Sequence, residues 1–272
     1  MIKSCKKKII FSIFALLILT SLNASAYNIN LNIGIKNNSI DIIIPDDYSS
    51  IKSGVENASD GDIIFVRSSI YEENNIFIEK RISLIGGSLT IIKGDGVDST
   101  LTIYADDVNI SGFTITGGKN IAIFGNNCSI SKNNIKGDNK TGIYVYNSSG
   151  NRIENNNISE CSKGIYIEES KNNFIKNNQI FANDQGIFLS YSEDNLIMQN
   201  DFISNNEHAK FSTWVSPKGI LWNKFYKNYW DNSIGILPKW IPGILYIPTN
   251  KFISFLPWVA FDLNPVRQPS EV

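Results

Sequence analysis

Residues 141–170 read "TGIYVYNSSGNRIENNNISECSKGIYIEES" and contain one short motif twice, as Gly142-Ile143-Tyr144-Val145 and as Gly164-Ile165-Tyr166-Ile167. A third copy, Gly186-Ile187-Phe188-Leu189, follows at the same interval of 22 residues. Each copy alternates aliphatic and aromatic side chains, and a period of two residues is that of a β-strand. A motif that recurs at a fixed interval predicts a solenoid in which each copy belongs to one coil.

Apolar residues elsewhere in the chain keep nearly the same interval and form three columns. The columns are Ile121, Ile143, Ile165, Ile187 and Ala209; Ile110, Ile130, Ile153, Ile175, Ile197 and Phe225; and Ile115, Ile135, Ile158, Ile180, Phe202 and Trp230. The intervening segments are rich in Asn, Asp, Gly and Ser, which disfavour helices and favour tight corners. We therefore expect an all-β fold, a right-handed single-stranded parallel β-helix with coils roughly 4.8 Å apart.

Asparagine occupies two further columns at the same interval. They are Asn133, Asn156, Asn178, Asn200 and Asn228, and Asn151, Asn173, Asn195 and Asn223, which Cys128 continues without an amide. At the spacing of stacked coils, each side-chain amide can donate to the carbonyl of the next one. The columns predict buried ladders of hydrogen bonds that run along the axis.

Residues 1–26 are predicted to be a signal peptide. They combine a lysine-rich start, an apolar run from Ile9 to Leu22 and the small-residue motif Ala24-Ser25-Ala26. The alternative is an uncleaved membrane anchor, but the apolar run is shorter than the roughly 20 residues that a membrane span needs. We expect a secreted chain with no membrane span after removal of the signal.

The net charge of the chain limits the classes of ligand that it is expected to bind. Four of the 25 basic residues lie in the leader, so the remaining chain has 21 basic residues against 26 acidic ones, a net charge of −5. A mildly acidic protein is a poor candidate for binding nucleic acid or a polyanionic sugar, so neutral glycans remain open.

Cys128 and Cys161 fall at different positions of the repeat and are expected to be buried, unpaired thiols.

Both ends of a solenoid need a cover for the apolar core and the open strand edges. Asp46 to Asp62 reads as a short amphipathic capping helix, with Ile51 and Val55 on one side. The predicted β-helix with this cap covers residues 27–231. Residues 232–272 contain Trp240, Trp258, Phe252, Phe255, Phe261 and six prolines. They are expected to form an extended apolar strap over the last coil or along one wall, because proline cannot pair in a central strand.

The aligned coils resemble the NosD-type parallel β-helix proteins, a branch of the pectin-lyase-like superfamily also described as carbohydrate-binding and sugar-hydrolysis domains. The resemblance rests on the opening "GDIIFVRSSIYEENNIFIEKRISLIGG" (61–87), the "GIYV", "GIYI" and "GIFL" coils and the closing "NKFYKNYWDN" (223–232). It implies the β-helix fold, but the superfamily includes lyases, hydrolases, binding modules and structural surface proteins. The namesake is a periplasmic accessory in copper delivery to nitrous oxide reductase.

The alternation within the motif places its aromatic residue outside. With Ile143 and Val145 inside, Tyr144 faces outward, and so do Tyr166 and Phe188 in the next coils. Aromatic faces beside polar groups suit a sugar ring, which is apolar on its faces and rich in hydroxyls at its edge. The candidate ligand-binding residues are Tyr144, Tyr166, Phe188, Tyr146 and Tyr191. The alternative is that the aromatic residues only stabilise the exposed sheet or are covered by the C-terminal strap.

Catalysis is the enzyme alternative, as a polysaccharide lyase or glycoside hydrolase. Hydrolysis needs two carboxylates that face each other across roughly 5–10 Å. The weak candidates are Glu168, Glu169 and Asp184. Glu193 and Glu154 fall one coil from Lys171 and Lys176, and are expected to form axial salt bridges.

Copper binding has little support in the residues. Copper favours clustered thiolate, thioether or imidazole ligands. The chain after the leader offers His208, Met198 and two separated cysteines. No metal or cofactor is predicted, although a NosD-like role through a partner stays open.

The hypothesis favoured by the sequence is a non-catalytic surface module that binds polysaccharide or cell-surface glycan. A structural or adhesive surface protein is the third possibility. The oligomeric state is not predicted. Asn-x-Ser/Thr sequons provide candidate positions for N-glycosylation, at Asn37, Asn57, Asn109, Asn127, Asn139, Asn147 and Asn157.

Overall fold

The computed structural model describes residues 40–216, 219, 220, 222–233, 237–248 and 253–269, all within the compact unit Asn38–Val272. The predicted signal peptide lies outside these residues, and so do Phe252 and the side chain of Phe255. Within the described ranges, no helix is long and apolar enough to cross a bilayer. The domain boundary drawn at residue 231 stays a prediction.

The described chain contains one short helix and 25 strands. In chain order they are β1 (Ile42–Ile44), α1 (Ile51–Asn57), β2 (Ile63–Val66), β3 (Ile70–Glu72), β4 (Ile76–Ile78), β5 (Ser83–Lys93), β6 (Ser99–Ile103), β7 (Asn109–Thr116), β8 (Lys119–Ile123), β9 (Ser129–Ser131), β10 (Asn134–Lys136), β11 (Thr141–Tyr146), β12 (Arg152–Glu154), β13 (Asn157–Ser159), β14 (Lys163–Glu168), β15 (Phe174–Lys176), β16 (Gln179–Phe181), β17 (Gln185–Ser190), β18 (Leu196–Met198), β19 (Asp201–Ile203), β20 (Glu207–Ser216), β21 (Gly219–Ile220), β22 (Lys224–Tyr226), β23 (Tyr229–Trp230), β24 (Lys239–Pro248) and β25 (Ile253–Asp262).

These strands form three parallel sheets around one core, so the predicted β-helix is confirmed. Sheet 1 contains β4, β6, β8, β11, β14, β17, β20 and β24. Sheet 2 contains β1, β2, the first parts of β5 and β7, and then β9, β12, β15, β18 and β22. Sheet 3 contains β3, the last parts of β5 and β7, and then β10, β13, β16, β19 and β23.

The strand register confirms the three apolar columns. In sheet 1, Ile143 lies opposite Ile165, which in turn lies opposite Ile187 in the next coil. These three side chains have no exposed surface. Because these successive coils place their isoleucines directly over one another, the core is a continuous stack along the column.

The glycine of the repeated motif is required by the close approach of successive coils. A Cβ atom on Gly164 would lie 2.6 Å from the carbonyl oxygen of Gly186, and a Cβ on Gly142 would meet the Gly164 carbonyl at the same distance. Real side chains do not approach a backbone oxygen so closely. The position has to lack a Cβ so that the strands of sheet 1 keep their spacing.

Substitution of Gly164 by alanine is therefore expected to lower the free energy of unfolding by about 2 kcal/mol, because the coils would have to separate locally. Chemical denaturation of the purified protein measures the change. The matched control is Thr141→Ala in the same sheet, whose side chain points outward. Equal denaturation midpoints for the wild type and the Gly164 variant would contradict this explanation of the motif.

The predicted asparagine ladders are present in the core. The Asn178 side-chain oxygen accepts hydrogen bonds from the backbone and the side-chain nitrogen of Asn156, at 3.0 Å each. The Asn178 amide nitrogen donates to Asn200 at 2.9 Å and to the backbone oxygen of Ile153 at 2.8 Å. Both ends of each buried amide are thus satisfied along the axis, in a turn that excludes water.

Two ladders were not expected from the sequence. One contains Asn183 and Asn205, and the backbone nitrogen of Cys161 begins it. The other is made of Ser148, Ser170 and Ser192, in which the hydroxyls of Ser170 and Ser192 accept from the backbone nitrogens of Ser148 and Ser170 in the coil before. Each of these ladders has too few members to be recognised in a sequence in which Asn and Ser are common throughout.

Asn178→Ala should lower the free energy of unfolding by about 3 kcal/mol, since it leaves buried donors and acceptors of two neighbouring coils without partners. Denaturant titration followed by circular dichroism gives the midpoint. Asn177→Gly is the control, because Asn177 is exposed and has a φ of 53°, which glycine adopts without strain. Comparable losses in both variants would show that the ladder is not what stabilises this turn.

The helix α1 has the predicted amphipathic character. Ser50 caps its N-terminus, Ile51 and Val55 are buried, and the carboxylate of Glu73 accepts hydrogen bonds from the backbone nitrogens of Ile51 and Lys52, both at 2.9 Å. The helix contacts β1, β2 and β4 near the start of the solenoid. Its role as a cover for the core stays a prediction.

The C-terminal segment differs from the expected extended strap. β24 and β25 form an antiparallel hairpin, and β24 pairs in parallel with β20, so the tail continues sheet 1. Pro242 and Pro257 lie within these strands, opposite Val259 and Ile244, although prolines were expected to keep the tail unpaired. In a hairpin, the backbone groups of this long apolar segment form hydrogen bonds with each other. In a single extended strap, most of these groups would have no partner.

Candidate functional site

The outer face of sheet 1 carries the predicted aromatic column. The alternation that buries Ile165 and Ile167 leaves the ring of Tyr166 half-exposed between them. The ring centroids of Tyr144 and Tyr166 are 5.1 Å apart, and those of Tyr166 and Phe188 are 5.3 Å apart. These distances follow from the spacing of paired strands, because each ring stands on the next strand of the same sheet.

The aromatic surface continues beyond the predicted residues. The ring of Tyr104 stacks on that of Phe124 at 5.3 Å, and Phe77 lies 6.2 Å from Tyr104. Phe124 in turn contacts Tyr144 and Tyr146 at 6.3 and 6.2 Å. Sequence reasoning missed three rings, although Phe124 precedes Tyr146 by the repeat interval and could have been found from it. We call the set the aromatic face: Phe77, Tyr104, Phe124, Tyr144, Tyr146, Tyr166 and Phe188.

Oppositely charged side chains flank the aromatic face. The hydroxyl of Tyr144 donates to the Glu168 carboxylate at 2.5 Å, and Glu168 also bonds with Tyr166. On the other side, the Lys163 ammonium lies 5.3 Å from the ring centroid of Tyr166 and 6.0 Å from that of Phe188. The rings therefore lie between a cation and an anion. Lys163 makes a cation–π contact with the rings, and Glu168 forms hydrogen bonds with the tyrosine hydroxyls.

The tyrosine hydroxyls are strongly held in their protonated form. Burial first, and then the hydrogen bond to Glu168, raise the pKa of Tyr166 to about 12. The same two causes raise the pKa of Tyr144 above its usual range. Both hydroxyls stay neutral hydrogen-bond donors at physiological pH.

An open depression of about 250 Å³ lies on this face. It is lined by Ser99, Lys119, Ile121, Thr141, Tyr144 and Tyr166. The described residues of the tail do not lie across it, because β24 joins sheet 1 beside β20 as a further strand. The alternative in which the strap covers the column is therefore not supported by the described part of the tail.

The other two predicted aromatic residues have different surroundings. Tyr146 lies beside Tyr144, with ring centroids 6.0 Å apart, and its hydroxyl bonds with Glu169. Tyr191 stands at a corner with a φ of 50° and stacks on Trp214 at 5.3 Å, near Tyr246 of the hairpin. Tyr191 thus belongs to a separate aromatic cluster at the end of the sheet.

Two of the three candidate catalytic carboxylates, Glu168 and Asp184, lie too far apart to form a catalytic pair. Asp184 is exposed at the start of β17 and accepts from Asn206 at 3.0 Å, whereas Glu168 lies at the level of Ser190 at the other end of that strand. Six residues of extended chain separate these levels, about 20 Å, which is twice the widest gap used for glycoside hydrolysis. Glu169 follows Glu168 at a corner, where its φ is 48°.

The expected axial pairs have the right register, but Glu154 forms its ion pair with another residue. Glu154 lies opposite Lys176, and Lys171 lies opposite Glu193, as the repeat predicts. The ion pair of Glu154, however, is with Arg152 at 2.6 Å. A neighbour two residues along the same strand is closer to the carboxylate than the partner in the next coil.

The residues with soft donor atoms do not fit a copper site. The Nε2 atom of His208 lies 2.7 Å from Asp231, and its Nδ1 atom lies 3.2 Å from the amide of Asn205, so both ring nitrogens are occupied. Cys128 and Cys161 are buried, unpaired thiols, as predicted, and burial raises their pKa values to about 11 and about 12. Over the described residues, no three His, Cys, Asp or Glu side chains form a metal-binding group.

The fold and the stacked columns define a parallel β-helix protein. Residues 29–235 match the family described as "Periplasmic copper-binding protein (NosD)". This match covers more than half of the chain, so the chain belongs to the NosD family.

Known proteins support the fold more than a particular activity. A cell surface glycoprotein of Methanothermus fervidus is 34% identical over 114 residues, which are 41% of this chain and 16% of that protein. A pectin methylesterase in complex with a hexasaccharide has a TM-score of 0.53 and 14% identity, covering 80% of this chain and 85% of that one. An alginate lyase from Paenibacillus has a TM-score of 0.52 and 17% identity, covering 67% and 85%.

Replacement of Glu168 by glutamine is expected to lower the pH at which Tyr144 and Tyr166 ionise, because it removes the negative charge that opposes phenolate formation. Absorbance of the phenolate during alkaline titration measures this. A raised tyrosine pKa stabilises the fold fully below about pH 10, so stability should fall as the pH rises from about 10 towards 12. Glu160→Gln, on an exposed carboxylate that pairs with Lys136, should leave the titration unchanged, and an unchanged curve for Glu168→Gln would refute the assigned hydrogen bonds.

Proposed function

We propose that this protein is a secreted, non-catalytic β-helix module that binds neutral glycan along its aromatic face. The observation that carries the proposal is the stacking of Tyr144, Tyr166 and Phe188 at 5.1 and 5.3 Å on an outward sheet face. Three rings on three successive strands offer a linear platform parallel to the axis. A chain of sugar units laid along the axis would meet one ring after another.

The chemistry of the face suits a carbohydrate better than a purely apolar ligand. The rings provide apolar surface for the faces of pyranose units, while Lys163, Glu168 and Thr141 beside them offer donors and acceptors for hydroxyl groups. The Lys163 ammonium lies over the ring of Tyr166 in the free protein. A bound sugar would displace this ammonium from the ring and could then hydrogen-bond with it.

Charge favours a neutral ligand. Lys163 and Glu168 carry opposite charges on the two sides of the column, and the chain after the predicted leader has more acidic than basic residues. A polyanionic polysaccharide would lack the clustered cations that it requires. The positions of Glu168 and Asp184, at levels about 20 Å apart, support a binding role over hydrolysis.

The setting of related proteins supports export and contact with glycans. The family is described as periplasmic, and the matching relative is a cell surface protein. Pectin methylesterase and alginate lyase use the same fold for work on polysaccharides. Fold likeness at this level of identity does not transfer an activity, so the proposal depends on the aromatic face.

The test is a glycan array with the purified protein, followed by calorimetric titration of any glycan that binds. The variant Tyr144→Ala/Tyr166→Ala should lose at least tenfold in affinity, because it removes two of the three stacked rings. The matched control is Phe174→Ala, which removes an aromatic residue that is 39% exposed on sheet 2.

Three outcomes would redirect the interpretation. Binding that survives the double substitution would exclude this face as the site. Release of reducing ends or unsaturated products from a polysaccharide would establish the enzyme alternative. Absence of binding to every neutral glycan would leave the structural or adhesive alternative.

A further inference from the structure

The sequons within the described residues differ in how free their asparagines are. All six are exposed: Asn57, Asn109, Asn127, Asn139, Asn147 and Asn157. The Asn57 amide donates to the Ser53 carbonyl at 2.9 Å, and the Asn109 amide donates to Ser83 at 3.2 Å. An acceptor for N-glycosylation needs an amide nitrogen that is accessible and available for bond formation.

Three of the remaining sequons, those of Asn127, Asn157 and Asn147, have surroundings that disfavour a bulky glycan. The Asn127 side-chain oxygen lies directly against Gly150 of the next coil. The hydroxyl-bearing member of the Asn157 sequon, Ser159, is completely buried. Asn147 lies in a turn of the usual length for this repeat, and it lines a polar depression together with Glu169. A bulky glycan at these positions would press on a neighbouring coil or its corner.

Asn139 occupies a turn that no other described coil of the motif has. The backbone nitrogen of Lys140 donates to the Gly137 carbonyl at 2.7 Å, and φ is 42° at Asp138 and 61° at Asn139. Two consecutive positive φ values within such a four-residue turn are those of a type I′ turn. Four residues separate β10 from β11 here, whereas three separate β13 from β14 and β16 from β17.

The extra residue places Asn139 outside the stacked corners. Asp138, Asn139 and Lys140 are all exposed, and within the described structure the Asn139 side chain makes no hydrogen bond. The ladder that begins at Cys161 does not extend into this turn, because Gly137 occupies the position against the Cys161 sulfur. A substituent on the Asn139 amide would project into solvent without disturbing the core.

We propose that Asn139 is an N-glycosylation site of this protein. The Asn139 side-chain nitrogen would form a bond to the anomeric carbon of a lipid-linked oligosaccharide, and the bond from that carbon to the phosphate oxygen would break. The lipid phosphate leaves with the electron pair of that bond, and the amide gives up one proton. The step requires a membrane oligosaccharyltransferase and its lipid-linked donor, and it rests on the export that is part of the proposed function.

The position of Asn139 places the proposed glycan beside the aromatic face. Thr141, the hydroxyl residue of the sequon, begins β11 and lines the depression that Tyr144 and Tyr166 also line. A glycan at Asn139 therefore stands at the edge of the aromatic face, in the coil that contains Tyr144.

The test is expression of the full chain in cells that carry an oligosaccharyltransferase, with a reference sequon in a C-terminal tag as an internal standard. Mass spectrometry of peptides before and after enzymatic glycan release should find a glycan on the peptide that contains Asn139. Asn139→Gln and Thr141→Val should each lose that glycan completely, whereas Thr141→Ser should keep it. Asn155→Gln is the matched control, since Asn155 is exposed with a φ of 57° but is not in a sequon.

An exported protein whose tag is modified and whose Asn139 is not would overturn the proposal. Retention of the unmodified chain inside the cell would also overturn it, since the acceptor would never meet the transferase. Modification at Asn147 in place of Asn139 would show that the protruding turn does not select the site. None of these results depends on the glycan array, so failure of the binding proposal and failure of this one are distinguishable.

Discussion

Direct stacking of successive coils is the constraint on which the rest of this structure depends. Parallel strands of neighbouring coils pair through their backbones, which fixes the distance between coils at the spacing of a β-sheet. Each residue type in the motif follows from that distance. Isoleucine fills the core, glycine allows the backbone of the next coil to approach, and asparagine passes hydrogen bonds from one coil to the next.

The same constraint builds the surface. A side chain that points outward in one coil lies directly beside its counterpart in the next, so a repeated aromatic residue becomes a continuous column. Stacking at about 5 Å is close enough for ring–ring contact. The aromatic face thus has the same origin as the core, and its order along the axis comes from the sheet beneath it. A surface of this kind needs no loop to shape it.

The end of the solenoid shows how the ladder is terminated. Asn228 is the last asparagine of its column, and its backbone and side-chain nitrogens donate to the Asp262 carboxylate at 2.9 and 3.0 Å. The indole nitrogen of Trp230 donates to the same carboxylate at 3.1 Å. Asp262 is completely buried at the end of β25, so the C-terminal hairpin satisfies donors that a further coil would otherwise have satisfied. The backbone nitrogen of Asn264 donates to the other oxygen at 3.1 Å, so four donors satisfy this buried carboxylate.

The sequence by itself determined the coils, the inward isoleucines, the two long asparagine ladders and the outward position of Tyr144, Tyr166 and Phe188. These features repeat, so comparison of one coil with the next reveals them, and the strand period assigns each residue a side. It also predicted the unpaired cysteines, because their positions in the repeat differ. Only the tertiary structure decided the features that occur once. The hairpin of the tail, the Asp262 contacts and the separation of Tyr191 from the aromatic column depend on which distant segments meet at the end of the solenoid. The hydrogen bonds of Glu168 and the position of Lys163 over the rings depend on side-chain conformations, which a repeat in sequence does not specify.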